Sequence, residues 1–563
     1  MTKLNKHTLH CVLNNSVELY SERPAVTYVD QPAINYKEFK VKVDEVIRFL
    51  KLEGVIAGDR VSILSENQPN WGIAYFAITT MGAVAVPIMT EFHSAEVHHI
   101  VRHSESKAIF ISAKYFNKID DLENDSLQAR ILLEDFSIIP PNTKNDLLKE
   151  VVESGKKEFA KIKEAAMKFV GLIPDEVEED SIALILYTSG TTGHSKGVML
   201  THKNVVSDAI STLDMVHLDQ TDRMLSILPL FHTIESTLGL VVPIIKGASV
   251  TYLDKPPTAA VLLPALQKVK PTVMLAVPLI IEKIYRNRIL PEFNKKAIVR
   301  GLYKIPTVRK KLNKIAGKKL MQTFGGELRM FCIGGASLAA DVERFLNEAG
   351  FPYAIGYGLT ETSPLVTGTG PDGVRLRSAG KPMLWMNVKL DDPDPRNGEG
   401  EILIKGPNVM KGYYKDPEKT KAVFTDDGWF KSGDLGVIDE DGYLYIKGRS
   451  KNVIIGSNGK NIYPEEIESI INEFPFVSES LVLDKGDQLV AKVYLNNEEI
   501  DKEFKIQKLS ESKAREITTQ ILNDLLIQIN SRVNSFSKIN KVLEQLEPFE
   551  KTPTQKIKRY LYV

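Results

Sequence analysis

Cysteine is nearly missing from this chain of 563 residues, which has two, Cys11 and Cys332. Thiols so few and so far apart in sequence give neither a disulfide framework nor a cysteine-rich metal site, and a reducing cytoplasm fits them. Net charge is missing as well, because 72 basic residues are matched by 72 acidic ones. That balance argues against a dedicated nucleic-acid binder. The first residues, Met-Thr-Lys-Leu-Asn-Lys-His, lead into charge rather than an apolar core with a cleavage site, so no secretory leader is expected. Long apolar runs are scarce. Trp71 to Thr90 carries no charge and is long enough to cross a bilayer, but Gly82 and Pro87 interrupt it. A helix followed by a buried strand is the expected arrangement there.

The length calls for two or more cores. From Arg23 a hairpin is expected, followed by a helix over 37–52 with Phe39, Val43, Val46, Ile47 and Leu50 at helical spacing. Strands are expected at 60–64, 83–88 and 108–112, with helices over 71–80 and around 94–102 between them. Such alternation predicts an α/β fold of doubly wound, parallel sheets, with ligands beyond the carboxyl ends of the strands. Residues 142–180 turn to Lys, Glu and Ala and read as a solvated helical excursion.

One stretch organises the rest. The apolar run Leu184-Ile185-Leu186 ends in Tyr187-Thr188-Ser189-Gly190-Thr191-Thr192-Gly193-His194-Ser195-Lys196-Gly197. Glycines let backbone N–H groups crowd around an anion, hydroxyls donate further bonds, and Lys196 adds a point charge, which together make a phosphate cradle. It is not the loop of the ordinary nucleoside triphosphatases, since Lys196 is followed by Gly197 rather than Ser or Thr. Further motifs follow short apolar runs: Leu228-Pro229-Leu230-Phe231-His232, Ile333-Gly334-Gly335-Ala336-Ser337 and Gly356-Tyr357-Gly358-Leu359-Thr360-Glu361-Thr362. Small residues at the second of these allow close approach by a ligand, as they would the packing of a helix. Trp429 to Gly436 and Asp441 to Arg449 read as two strands joined by turn residues, and Pro464 opens a helix. The tail reads Lys551-Thr552-Pro553-Thr554-Gln555-Lys556-Ile557-Lys558-Arg559.

Together the loop at 188–197, the Tyr-Gly-x-Thr-Glu tetrad, the two strand motifs and the tail resemble the adenylate-forming superfamily of acyl-CoA synthetases, luciferases and peptide-synthetase adenylation domains. The resemblance spans about Arg23 to Arg559. Ser195, Asn452 and Gln555 depart from the residues usual at their positions. The fold implied is a large domain over 1–449, with doubly wound sheets and a distorted barrel, and a small mobile α+β domain over 450–563. Implied ligands of ATP are Thr188, Ser189, Gly190, Thr192, Gly193 and Lys196 for phosphate, Tyr357 and Gly358 for adenine, and Thr360 for phosphate again. Gly335 and Ala336 border adenine and the acyl tunnel, Asp434 and Arg449 reach the ribose, and Glu361 holds Mg²⁺, which suits a carboxylate oxygen. Lys451 is the implied hinge, and Gly459 lines the thiol's approach. Lys556, Thr191, Glu361 and His232 form the implied catalytic set. A lone histidine is more often structural, but Phe231-His232 resembles the element lining the path of the carboxylate.

The peptide-synthetase branch of the superfamily needs an Asp near this element to hold a substrate's amino group, and none lies between Phe231 and Asp254, so the resemblance argues against an amino acid substrate. The resemblance is strongest to long-chain fatty acid–CoA ligases. It implies activation of a fatty acid to acyl-AMP with release of pyrophosphate, then transfer to coenzyme A. An acyl carrier protein as acceptor is the alternative, and a nucleotide-binding scaffold without turnover is another, against which the intact Lys556, Glu361 and Asp434 count. The stretch 294–320 carries ten Lys or Arg residues and no Asp or Glu. It reads as a solvated helix face, or as a dock for a carrier protein or the anionic inner face of the membrane.

Overall fold

A computed structural model describes residues 4–562 apart from 123, 125, 141–142, 146–147, 149–175, 189–194, 295–296, 456–460, 487 and 553–555. Most of the expected 142–180 excursion therefore lies outside the described residues.

Local sequence sets the first elements. Asn35 caps the helix Tyr36–Leu52 and exchanges hydrogen bonds with Glu38 in a capping box, while Phe39, Val43, Val46, Ile47 and Leu50 bury its apolar stripe. Pro69 opens the helix Pro69–Thr80, which buries every residue except Asn70 because it is apolar on all sides. Its length and the strand Val84–Pro87 that follows remove the apparent membrane span. Among the described residues no helix is long and apolar enough to cross a membrane.

Two large sheets flank the cleft. The seven-stranded sheet runs in the order Gly412–Tyr413, Lys196–Thr201, Ile182–Thr188, Val84–Pro87, Arg60–Leu64, Ser106–Ile111, Ala129–Leu132. It is parallel from Ile182–Thr188 onward. The nine-stranded sheet is parallel from Tyr353–Gly358 through Met330–Ile333, Val273–Ala276, Arg223–Ser226 and Ser249–Tyr252 to Pro24–Tyr28, with antiparallel strands added at both ends. The sheets are thus mixed rather than wholly parallel. After the cradle the chain does not enter a helix: Lys196–Thr201 turns back antiparallel on Ile182–Thr188, with Thr188 opposite Lys196. The apolar run Val198-Met199-Leu200 prefers a place in the sheet, and the helix His202–Met215 starts only after the Thr201 cap.

A four-stranded antiparallel sheet, Asn387–Asp391, Gly400–Lys405, Phe430–Ile438 and Leu444–Arg449, is the part that answers to the expected distorted barrel. The last residues build a smaller α+β unit. Its sheet of Val477–Asp484, Leu489–Leu495 and Lys541–Gln545 packs against the helices Pro464–Ile471 and Glu511–Asn530. Ile467, Ile471, Val493, Leu525 and Ile529 form its own buried cluster, separate from the large core of the preceding sheets. Tyr463 donates to Glu399 Oε2 at 2.6 Å and Arg286 to the Glu473 carbonyl at 3.1 Å, tying the unit to the large one.

Candidate active site

The cleft collects its charged groups from five places in the chain. Asp434 and Arg449 are cross-strand partners, so the two strand motifs set them side by side, and Arg449 Nε lies 2.8 Å from Asp434 Oδ1. The other carboxylate oxygen accepts from Tyr357 Oη at 2.7 Å. Burial raises the Asp434 pKa, while Arg449, the Tyr357 bond and Lys556 oppose that shift. Glu361 sits in the short turn Thr360–Thr362 that follows the strand of Tyr357. Gly358 within that strand must be glycine, because a Cβ there would lie 1.8 Å from the Pro364 carbonyl oxygen.

The tail reaches the same cleft. Arg559 pairs with Glu468 and donates to the Val482 carbonyl at 3.1 Å, and Lys551 meets Glu479 at 2.6 Å, which fastens both ends of the tail to the small sheet. Between them Thr552 N donates to the Lys556 carbonyl at 2.8 Å, and Lys556 N donates to Thr552 Oγ1 at 3.2 Å. Lys556 thereby meets Arg449, Asp434 and Glu361 of the large unit. Solvent reaches the side chain, yet the cleft strips enough hydration that the ammonium's pKa falls, helped by Arg449 and opposed by Asp434 and Glu361.

Lys451 joins the same group. Burial lowers its pKa first, then Arg449, Lys196 and Lys556, against Asp434. Four cationic side chains therefore crowd one cleft, an arrangement that costs free energy until an anion arrives. His232 also faces Lys556. Burial and that neighbouring ammonium lower its pKa to about 4, so the ring is neutral at pH 7. Its ring lies 4.7 Å from that of Phe231.

An apolar cavity opens along the strand that carries Tyr357, lined there by Ile355, Gly356 and Gly358. Ile234 and Leu238 from the π-helix Ile234–Val241 form one wall, Leu275 and Cys332 the sheet floor, and Gly335 and Gly356 the side nearest Tyr357. Burial pushes the Cys332 thiol up to about 12, so it serves as an inert wall. Gly335 has φ +83°, which lets the turn Gly334–Gly335 pass close to the mouth.

Of the residues singled out in the sequence, Lys196, Tyr357, Glu361, Asp434, Arg449, Lys451, His232 and Lys556 converge, and Gly335 and Gly358 line the cavity. Thr188 stands at the near end of the cradle, and Ala336 is exposed beside Gly335. Ser189, Gly190, Thr191, Thr192, Gly193 and Gly459 lie outside the described residues. Sequence reasoning missed Tyr413, whose hydroxyl donates to Glu361 Oε1 at 3.0 Å. It treated Lys451 as a hinge alone. Among the described residues no cluster of three or more His, Cys, Asp or Glu forms a cage for a metal. A single carboxylate such as Glu361 suits Mg²⁺, which takes one or two carboxylates and completes its shell with phosphate oxygens and water.

Known proteins resemble this chain over most of its length. The family model described as AMP-binding enzyme matches residues 13–414. A long-chain-fatty-acid–[acyl-carrier-protein] ligase of Arabidopsis thaliana, AEE15, is 27% identical over 98% of this chain and 84% of its own. The long-chain-fatty-acid–CoA ligase FadD15 of Mycobacterium bovis is 30% identical over 90% of this chain and 86% of its own. The o-succinylbenzoate coenzyme A synthetase of Bacillus subtilis, solved with ATP and magnesium, superposes with a TM-score of 0.72 at 25% identity, covering 98% of both chains.

Proposed function

The chain belongs to the AMP-binding enzyme family, and on that premise we propose that it is a ligase joining a long-chain fatty acid to coenzyme A through an acyl-adenylate. The observation that carries this reading is the convergence of Lys556 with Glu361, Asp434 and Arg449 beside an apolar cavity. A polyanion answers the four cations, a ribose answers Asp434, and an alkyl chain answers the cavity.

A carboxylate is a poor electrophile, because oxide is a prohibitive leaving group. Attack of its oxygen on the α-phosphorus of ATP breaks the bond to the β-phosphate bridge, expels pyrophosphate and makes AMP the later leaving group. Lys556 spans the attacking oxygen and the α-phosphate, and Lys196 with the 188–196 cradle takes the charge that develops on pyrophosphate. Asp434 accepts from the ribose hydroxyls, Arg449 closes over them, and Tyr357 offers its ring to adenine. Glu361 is the residue that would hold Mg²⁺, whose chemistry is to neutralise phosphate charge. Neutral His232 lines the carboxylate path without competing for its charge. Catalysis needs positioning and electrostatics, and no covalent protein nucleophile.

In the second half-reaction the unit over 450–563 turns about Lys451, withdraws Lys556 and brings the Gly459 segment to a tunnel, where a thiolate attacks the acyl carbon and AMP departs. Coenzyme A is the proposed thiol. A carrier protein is the second reading, favoured by the helix Pro306–Thr323, where Lys310, Lys311, Lys314, Lys318 and Lys319 are exposed. The same surface, with Ile298 78% and Ile315 58% exposed, also suits an anionic membrane face. ATP–pyrophosphate exchange driven by a graded series of carboxylic acids tests the reading. Exchange rising with chain length supports it, and no exchange with any acid overturns it.

A further inference from the structure

Tyr413 stands between two opposite charges of the site and lets neither cancel the other. It lies in the strand Gly412–Tyr413, antiparallel to Lys196–Thr201 and opposite Val198, and its own N–H is held by Thr420 Oγ1 at 2.9 Å. The side chain is 4% exposed. Its ring lies under Lys196, with the ammonium 4.8 Å from the centroid, and its hydroxyl donates to Glu361 Oε1. Lys196 belongs to the seven-stranded sheet and Glu361 follows a strand of the nine-stranded one, so a single phenol spans the cleft between the two sheets.

The chemistry of that bridge differs from that of an ion pair. An aromatic face attracts an ammonium through its quadrupole and leaves the full positive charge. A hydroxyl orients a carboxylate by donating to one oxygen and leaves the full negative charge. Had Lys196 and Glu361 met directly, each would have to be pulled from the other before binding phosphate or a cation. Among the described residues no ion pair joins them.

We propose that Tyr413 is a positioning residue that keeps Lys196 and Glu361 apart and aimed, the ammonium at the polyphosphate and the carboxylate at the cation that accompanies it. This rests on the adenylation reading above. Tyr413→Phe keeps the ring under Lys196 and removes the bond to Glu361. Tyr413→Leu removes both.

Calorimetric titration of ATP, with Mg²⁺ and with EDTA, separates the two arms without relying on turnover. For Tyr413→Phe the expected result is a Mg²⁺ requirement for tight ATP binding raised about tenfold, the scale of one hydrogen bond to a charged group. Affinity in EDTA should match the wild type. For Tyr413→Leu affinity in EDTA should fall as well. In a Glu361→Gln background, Tyr413→Phe should add nothing to the Mg²⁺ requirement, and KM for the carboxylic acid should be unchanged in both single variants. An unchanged Mg²⁺ requirement in Tyr413→Phe, or equal loss of ATP affinity, acid KM and melting temperature in both variants, overturns the assignment. Failure of the wild type itself to bind ATP instead overturns the adenylation reading.

Discussion

The Tyr357 hydroxyl donates to Asp434 Oδ2 at 2.7 Å, joining a strand of the nine-stranded sheet to one of the four-stranded sheet. With Arg449 on Oδ1, both carboxylate oxygens are engaged and the group is already turned toward the cleft before a nucleotide arrives. Its orientation therefore need not be selected during binding.

Removing that donor should be felt at the ribose. Tyr357→Phe is expected to weaken ATP binding about tenfold, the order of a lost bond to a buried carboxylate. The control is 2′,3′-dideoxy-ATP, which lacks the hydroxyls that Asp434 would accept. If Asp434 reads the ribose, the variant's deficit shrinks with this analogue in a binding titration. An equal deficit with both nucleotides assigns the loss to the adenine side.

Glu235 gives a prediction about pH. It is 1% exposed, accepts from Ser226 Oγ at 2.5 Å, and burial raises its pKa to about 8. Between the ordinary 4.5 and about 8 the folded chain keeps a proton that the unfolded chain has lost, so the stability this group supplies falls as pH rises and levels off above about 8. Each pH unit in that window costs about 1.4 kcal/mol. Glu235→Gln removes the titration, so its melting temperature should decline less steeply with pH than that of the wild type. Parallel melting curves for the two across this window would contradict a neutral Glu235.

The cavity wall gives a prediction about substrate length. Cys332→Phe adds volume to the floor of the apolar cavity. Each methylene that can no longer be buried forfeits about 0.8 kcal/mol. The kcat/KM profile across a graded series of fatty acids should move toward shorter chains, with KM for ATP unchanged. A uniform drop at every length would mean that the alkyl chain lies elsewhere.

Much of this molecule was legible in its residues. The strand at Arg60–Leu64 has the expected bounds, and the turn residues between the two strand motifs already place Asp434 near Arg449. Legibility failed where partners are remote or the local pattern points the wrong way. Tyr413 lies in a two-residue strand that no local pattern marks, and its meaning comes from Lys196 and Glu361, which the fold brings to it. Glu235 interrupts an apolar run as a solvent-facing residue would, yet the π-helix turns it inward onto Ser226. The antiparallel return after the cradle was hidden because strand–helix alternation predicts a parallel continuation, whereas the run after Lys196 satisfies its backbone by pairing with the strand before it.

The direct test of the account is the fate of the two half-reactions in Lys556→Ala. Fatty-acid-dependent ATP–pyrophosphate exchange should fall roughly a hundredfold or more, while thioester formation from supplied acyl-adenylate and coenzyme A stays within a few fold of wild type. Equal loss of both half-reactions, or retention of exchange, would contradict the claim that this tail lysine carries adenylation alone.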